Sequence, residues 1–255
     1  MDAKLPLAGR RALITGGGRG IGRGIALALA AAGADVVIAA RTSPQVDAVA
    51  AEIRAHGRQG VGFTVDVARP EEISRLFTQA MEALGGLDVL VTAAGFIIRK
   101  PAIDFTLADW DALLAVNLRG RFLCSQEAAR LMRARGGGKI IHVGSLSMEI
   151  VLPGQVVYAV GNGGVRQMTR ALAVEWAPWN IQVNAIAPGT FWTEQTRGLL
   201  SDPEVRGARL RRVPLGRLGD ADRDIGGAAV FLASPAADYV TGHVMVVDGG
   251  TLAAY

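Results

Sequence analysis

Ser145, Tyr158 and Asn162 stand at spacings that suit acid–base chemistry. Tyr158 follows Ser145 by thirteen residues and, within VVYAVGNGGV (156–165), precedes Asn162 by four. Four residues is one helical turn, so Tyr158 and Asn162 share a helix face. A phenol with its ordinary pKa near 10 is a poor base near neutrality. A depression of roughly two to three units, about 3–4 kcal/mol, would make it a working one. An ammonium one turn on supplies much of that by charge. The asparagine at 162 carries none, so the phenol stands without the cation that its spacing anticipates.

A second cluster points to an anionic ligand. TGGGRGIG (15–22) lies between an apolar run and a helical pattern. Its glycines, Gly16, Gly20 and Gly22 with Ile21 between the last two, let the backbone turn tightly and approach a pyrophosphate. The N–H groups of the following helix then meet that anion. About twenty residues on, a carboxylate would hydrogen-bond the ribose 2′-hydroxyl of NAD(H). Here Ala39, Ala40, Arg41 and Thr42 stand instead. Arg41, joined by Arg19 from the glycine turn, can fork a 2′-phosphate, so NADP(H) is preferred and NAD(H) is possible. Asp66 and Val67 end the third strand, where they can meet an adenine edge.

Positioning these groups requires alternating strands and helices. Strands are expected at 11–16, 35–40, 60–67, 87–95, 138–145, 181–189 and 243–250, on nearly unbroken apolar runs. Helices are expected at 20–33, 44–57, 70–85, 107–116, 118–134, 156–177 and 222–233. Such alternation implies an α/β doubly wound parallel sheet of about seven strands, a Rossmann fold, with residues 1–255 as one domain. Segment 190–221 is weakly periodic and rich in Arg, Gly and Pro, as expected of a substrate lid.

Composition narrows the class. Half the residues are hydrophobic, which suits a large core, and the single cysteine, Cys124, suits a reducing, cytoplasmic setting. The first residues form no signal peptide, and the longest apolar stretch is broken by Gly33 and Asp35, so no membrane span is expected. The net charge of +4 is scattered, apart from Arg206, Arg209, Arg211 and Arg212, and aromatics are only 5%, so no nucleic-acid partner is expected. Three scattered histidines and one cysteine give no metal site.

TGGGRGIG, TAAG (92–95), Asn117, Ser145, Tyr158 and PGTFWT (188–193) together resemble the short-chain dehydrogenase/reductase family along essentially the whole chain. The stretches AGFIIRKPAIDFTLADWDALLAVNL, GGKIIHVGSLSMEI and NIQVNAIAPGTFWTEQT resemble gluconate 5-dehydrogenases and their keto-deoxygluconate-reducing relatives. The resemblance implies hydride exchange between a nicotinamide and the carbinol of a small molecule, a sugar acid such as gluconate or 5-ketogluconate. In that scheme Ser145 holds the substrate oxygen and Tyr158 exchanges its proton. Asn117 kinks its helix and holds a relay water. Ala93, Ala94 and Gly95 flank the cofactor, and Pro188, Gly189 and Thr193 lie along the nicotinamide. The C-terminal DYVTGHVMVVDGG is similar to the subunit-contact segment of the family's homotetramers.

The family pattern departs at two positions: Asn162 stands for its lysine, and Thr92 for its asparagine. Asn162 can still bond a nicotinamide ribose hydroxyl but adds no charge. Oxidation is expected to be at least about 10²-fold slower than in an Asn162→Lys variant. Arg99 is placed to fork a substrate carboxylate, and Ser147 and Glu149 to touch substrate hydroxyls. Beside the sugar-acid dehydrogenase stand two alternatives: a 3-oxoacyl-thioester reductase, and a cofactor-binding protein or inactivated variant with little turnover.

Overall fold

A computed structural model describes residues 5–254. In chain order come β1 (Arg11–Thr15), α1 (Gly20–Ala31), β2 (Asp35–Ala40), α2 (Ser43–Ala55), β3 (Gly60–Thr64) and α3 (Pro70–Leu84). Then follow β4 (Val89–Thr92), α4 (Leu107–Leu114), α5 (Arg121–Ala134), β5 (Gly138–Val143), α6 (Val156–Trp176) and β6 (Ile181–Pro188). The last third holds β7 (Phe191–Trp192), α7 (Glu194–Leu200), α8 (Pro203–Leu210), β8 (Gly219–Asp220), α9 (Gly226–Ala233) and β9 (Val244–Val247).

Seven strands form one parallel sheet in the order β3-β2-β1-β4-β5-β6-β9. The chain winds outward from β1 in one direction and from β4 in the other. A crevice therefore opens beyond the carboxyl ends of β1 and β4, where ligands bind in such sheets.

Successive strand residues feed opposite faces of the sheet. Ala12, Ile14, Val36 and Ile38 join a core with α1, α2 and α9, built around Ile25, Leu29, Ile53 and Leu232. Leu13, Val37, Leu90 and Ile140 join a second core with α3, α5 and α6, built around Leu76, Phe77, Met132 and Trp176. Each fully buried Leu, Ile or Val is worth about 1.5–3 kcal/mol of transfer free energy. With both faces covered, the strands are largely apolar, and the strand expectations hold in the main.

The departures have physical causes. β4 stops at Thr92 and β5 at Val143, short of the expected 95 and 145, because the backbone beyond them turns into the crevice. The two expected central helices are joined by a π-helical turn, Ala115–Gly120, which carries Asn117 and bends the chain. α9 starts at Gly226 instead of 222. Asp224 accepts from the Asp220 amide at 2.8 Å and from both Arg217 terminal nitrogens, and so holds 220–224 in a turn. Segment 190–221 contains α7, α8 and a two-stranded β7–β8 ladder. Asp202 caps α8, accepting from Glu204 and Val205 amides at 2.8 and 3.3 Å.

Candidate active site

The glycine turn is shaped by close approach. Gly16 has φ +74°, and a Cβ there would stand 2.4 Å from the Ala94 amide nitrogen. A Cβ on Gly22 would stand 2.1 Å from the Gly16 carbonyl oxygen. Only glycine lets the turn fold onto α1 this tightly. At the start of α1, Arg19 gives no side-chain cap, and the first turn holds no acidic residue. The leading amides and the positive end of the helix therefore face the crevice uncapped by α1's own residues, with the Glu194 carboxylate from the start of α7 3.6 Å from where a Gly20 Cβ would stand. That is a fit for a pyrophosphate.

From this turn a groove of about 300 Å³ crosses the sheet ends. Arg19 and Arg41 line one end, and Asp66 and Val67 line the flank. Gly16, Gly20, Ile21 and Gly22 face Ala93, Ala94 and Gly95 across it. Asn117, Ser145, Tyr158, Pro188, Gly189 and Thr193 line the other end. The groove is long, polar at both ends and free of a carboxylate at the end of β2, which fits a dinucleotide carrying a 2′-phosphate.

A second cleft opens on the far side of Ser145 and Tyr158. The two cavities share Ser145, Tyr158, Pro188, Gly189, Gln195 and Thr196. Ser145 ends the crossing from β5, and its Oγ accepts from the Ser147 amide at 3.2 Å. Arg99, Ser147, Gln155, Arg209 and Arg212 also line this cleft, and no Asp or Glu does. Burial, then the like charge of Arg209, lowers the pKa of Arg99, with the Tyr158 phenol pulling the other way. The cleft is thus an electropositive space with two hydroxyls at its junction with the groove.

Three expected residues stand differently. The Asn162 amide donates to the Tyr158 carbonyl at 2.9 Å, within its own helix, and Asn162 is absent from the groove lining. Its amide oxygen stands 3.1 Å from where a Cβ on Gly144, a groove-lining residue, would lie. Glu149 also lies outside the cleft lining, its carboxylate paired with Arg166 at 3.1 Å. Asn117 does line the groove, but its amide is spent on Phe96. It accepts from that residue's N–H at 3.1 Å and donates to its carbonyl at 2.8 Å. It locks the loop after β4.

Some lining residues escaped the sequence reading: Thr42, Gln45, Glu194, Gln195, Thr196 and Arg121. Arg121 is nine-tenths buried, and it lies one turn beyond Asn117, the spacing that could have flagged it. Its terminal nitrogens donate to the Val143 carbonyl and, at 3.0 Å, to the Ala94 carbonyl. It therefore braces the ends of β4 and β5. Thr92 does not, since its buried hydroxyl has no partner. His142 is packed in β5 between Ser125 (3.0 Å) and Thr169 (2.9 Å), away from both cavities. Lys100 pairs with Asp109 and anchors the loop that carries Arg99. Among the described residues no group of three His, Cys, Asp or Glu could hold a metal, and no helix is long and apolar enough to cross a membrane.

Comparison with known proteins agrees with this geometry. The family described as enoyl-(acyl carrier protein) reductase matches residues 16–251. The 2-dehydro-3-deoxy-D-gluconate 5-dehydrogenase of Bacillus subtilis is 44% identical over 249 residues, 96% of each chain. The 5-keto-D-gluconate 5-reductase of Escherichia coli K12 is 38% identical over 254 residues, the full length of both. A crystal structure of a gluconate 5-dehydrogenase from Burkholderia cenocepacia, in complex with NADP and tartrate, superposes with a TM-score of 0.94. It is 41% identical, covering 99% of this chain and 98% of that one. A parallel seven-stranded sheet, a glycine turn fitted to a dinucleotide and paired hydroxyls at the junction of two cavities accompany likeness along nearly every residue, and the chain belongs to the short-chain dehydrogenase/reductase family.

Proposed function

We propose that this chain is an NADP-preferring dehydrogenase/reductase acting on the secondary alcohol or ketone of a sugar acid of the gluconate/5-ketogluconate class. The observation that carries this reading is that Ser145 and Tyr158 line both cavities, with three arginines and no carboxylate around the outer one. Bound NADP(H) accepts or supplies the hydride, on the balance secondary alcohol + NADP⁺ = ketone + NADPH + H⁺. On the protein side, Ser145 Oγ holds the substrate oxygen by a hydrogen bond. Tyr158 Oη takes the carbinol proton in oxidation and returns it in reduction. The two hydroxyls meet the charge that develops on that oxygen as the hydride moves. Arg99, Arg209 and Arg212 hold the carboxylate at the outer end. Segment 190–221 acts as the lid, since it brings Leu199, Leu200, Arg209 and Arg212 to the cleft.

Arg19 and Arg41 at the groove's end support the 2′-phosphate preference. The NADP-bound gluconate 5-dehydrogenase from Burkholderia cenocepacia supports both cofactor and substrate class. The single buried thiol, Cys124, suits a cytoplasmic enzyme. We also infer a homotetramer, supported by exposed Leu107, Trp110 and Phe122 on the adjoining α4 and α5 and by fully exposed Tyr239.

The test is NADPH oxidation with 5-ketogluconate, a neutral ketose and a 3-oxoacyl thioester in parallel. The acid is expected to be turned over fastest. Faster turnover of the thioester would replace this reading with the second one, which the apolar cleft residues Ile97, Ile150, Leu152 and Val213 favour. NADPH binding without turnover of any of the three would leave a cofactor-binding protein.

A further inference from the structure

A phenol that exchanges protons near neutrality needs a cation within a few ångströms to favour its charged form. Helix α6 brings none to Tyr158, because Asn162 is neutral and folded back on its own helix. Helix α5 brings one to the same groove. Arg121 is 7% exposed and lines the cofactor groove together with Ser145 and Tyr158.

We propose that Arg121 supplies, from α5, the positive charge that sustains Tyr158 as a proton acceptor, replacing the lysine that position 162 lacks. The inference rests on the assignment of Tyr158 to proton exchange made above.

The hydrogen bonds of Arg121 leave its charge uncancelled. They run to two carbonyls, Val143 and Ala94, and its buried Nε has no partner. A Cβ on Gly95 would stand 3.1 Å from the guanidinium, so the head group lies directly under the groove floor. An arginine buried without a carboxylate is costly to a fold. Burial draws its pKa down to about 10, and the strongest opposing pull comes from Tyr158. The guanidinium is still charged at neutral pH, and it lies under the floor of the groove that Tyr158 also lines.

The other ionisable groups around this pair do not perform the task. Cys124, on α5, is driven up to about 12 by burial, and His142, on β5, down to about 3, so both are neutral. Arg99 also faces Tyr158, but from the loop after β4 and on the substrate side, with Arg209 and Arg212 in the same cleft. A bound carboxylate would neutralise that side in the complex that reacts. Arg121 lies on the cofactor side and is no part of the outer cleft, so its charge persists there. Thr92 and Asn162 then belong with Arg121. The braces and charge that an asparagine and a lysine would give come instead from one guanidinium.

The chain has three tyrosines, so ultraviolet titration of the cofactor-free protein, with the Tyr158→Phe trace subtracted, isolates the ionisation of Tyr158. In Arg121→Met that step is expected to move up by at least about one pH unit. The acidic limb of the kcat profile for alcohol oxidation, where the base is lost to protonation, should move with it. Adding Asn162→Lys to that variant should restore oxidation by at least about tenfold, whereas Asn162→Lys alone should gain less than about threefold, in place of the roughly 10²-fold that the sequence without Arg121 leads one to expect. An unmoved Tyr158 step in a folded Arg121→Met protein overturns the proposal. So does a gain of about 10²-fold from Asn162→Lys alone, and that variant decides the matter if Arg121→Met fails to fold. The titration uses no substrate, so it stands apart from whether a sugar acid is turned over.

Discussion

Arg19 and Arg41 face one end of the groove from two different turns, and among the described residues neither pairs with a carboxylate. Arg41→Ala removes one fork from a 2′-phosphate, a charge-assisted contact worth about 1.5–3 kcal/mol. NADPH affinity, measured by calorimetry, is expected to fall at least about tenfold while NADH affinity stays within about threefold. Equal losses for both would show that Arg41 reads the shared part of the dinucleotide. Arg99 belongs to the other cavity, and its removal should separate substrates instead of cofactors. Arg99→Met is expected to raise KM for 5-ketogluconate by at least about tenfold and to leave a neutral ketose within about twofold, since only the acid loses a charged partner. The glycine turn, Arg41, Ser145 and Tyr158 were legible because each is fixed by its own local geometry: a tight turn, a strand end, a helix start. Arg121 was not. The one-turn spacing from Asn117 could have flagged it as groove-facing, but its contacts depend on how α5 lies across the ends of β4 and β5, which that spacing does not encode.

The same crossing ties three elements together through His142. The Ser125 hydroxyl on α5 donates to the Arg121 carbonyl at 2.8 Å and contacts one ring nitrogen of His142. Thr169 on α6 contacts the other ring nitrogen and donates to the Val165 carbonyl at 2.8 Å. The strand run around 142 reads as buried from sequence alone, but the partners of its histidine come from helices far along the chain. The π-helical turn was equally hidden, since a one-residue widening of a helix leaves the apolar pattern nearly intact. Burial, then the charge of Arg121, holds His142 near 3 in the folded protein against an ordinary value of 6.5. The unfolded chain therefore binds the proton more readily, and folding stability is complete above about pH 6.5 and lost as pH falls towards 3. The expected slope is about 1.4 kcal/mol per pH unit in that window. Asp88, lowered by the Arg11 guanidinium despite its burial, yields only below the ordinary carboxylate range near 4. Urea unfolding between about pH 6.5 and 4.5 should thus show this slope in the wild type and lose it in His142→Gln. A slope unchanged by the substitution would place the acid sensitivity elsewhere.

At the scale of the molecule, what remains unexplained by the fold is the surface of α4 and α5. Both helices pack inward through a few residues, while Leu107 is 75% exposed, and Trp110 and Phe122 are each 39% exposed. Trp110, Leu114, Leu118, Phe122 and Met168 border one open depression, with Arg119 at its edge. Large side chains left on one face mark an interface more often than a solvent surface. A two-fold axis would set this face against its copy and bury both, which is the commonest way that soluble chains close. Tyr239, shortly before the last strand, is fully exposed, and a second two-fold axis there would double the pair. Light scattering on the eluted protein is expected to give four times 26.6 kDa. A charge inside the first contact cannot be solvated once the faces meet, so Trp110→Arg with Phe122→Glu should halve that mass by breaking one interface and leaving the other. The crevice between β1 and β4 lies at the sheet ends, apart from this face, so the halved protein should still bind NADPH. A mass that stays at four chains in the double variant would move the first interface off α4 and α5. A wild-type mass of one chain would leave the exposed apolar face to a different partner.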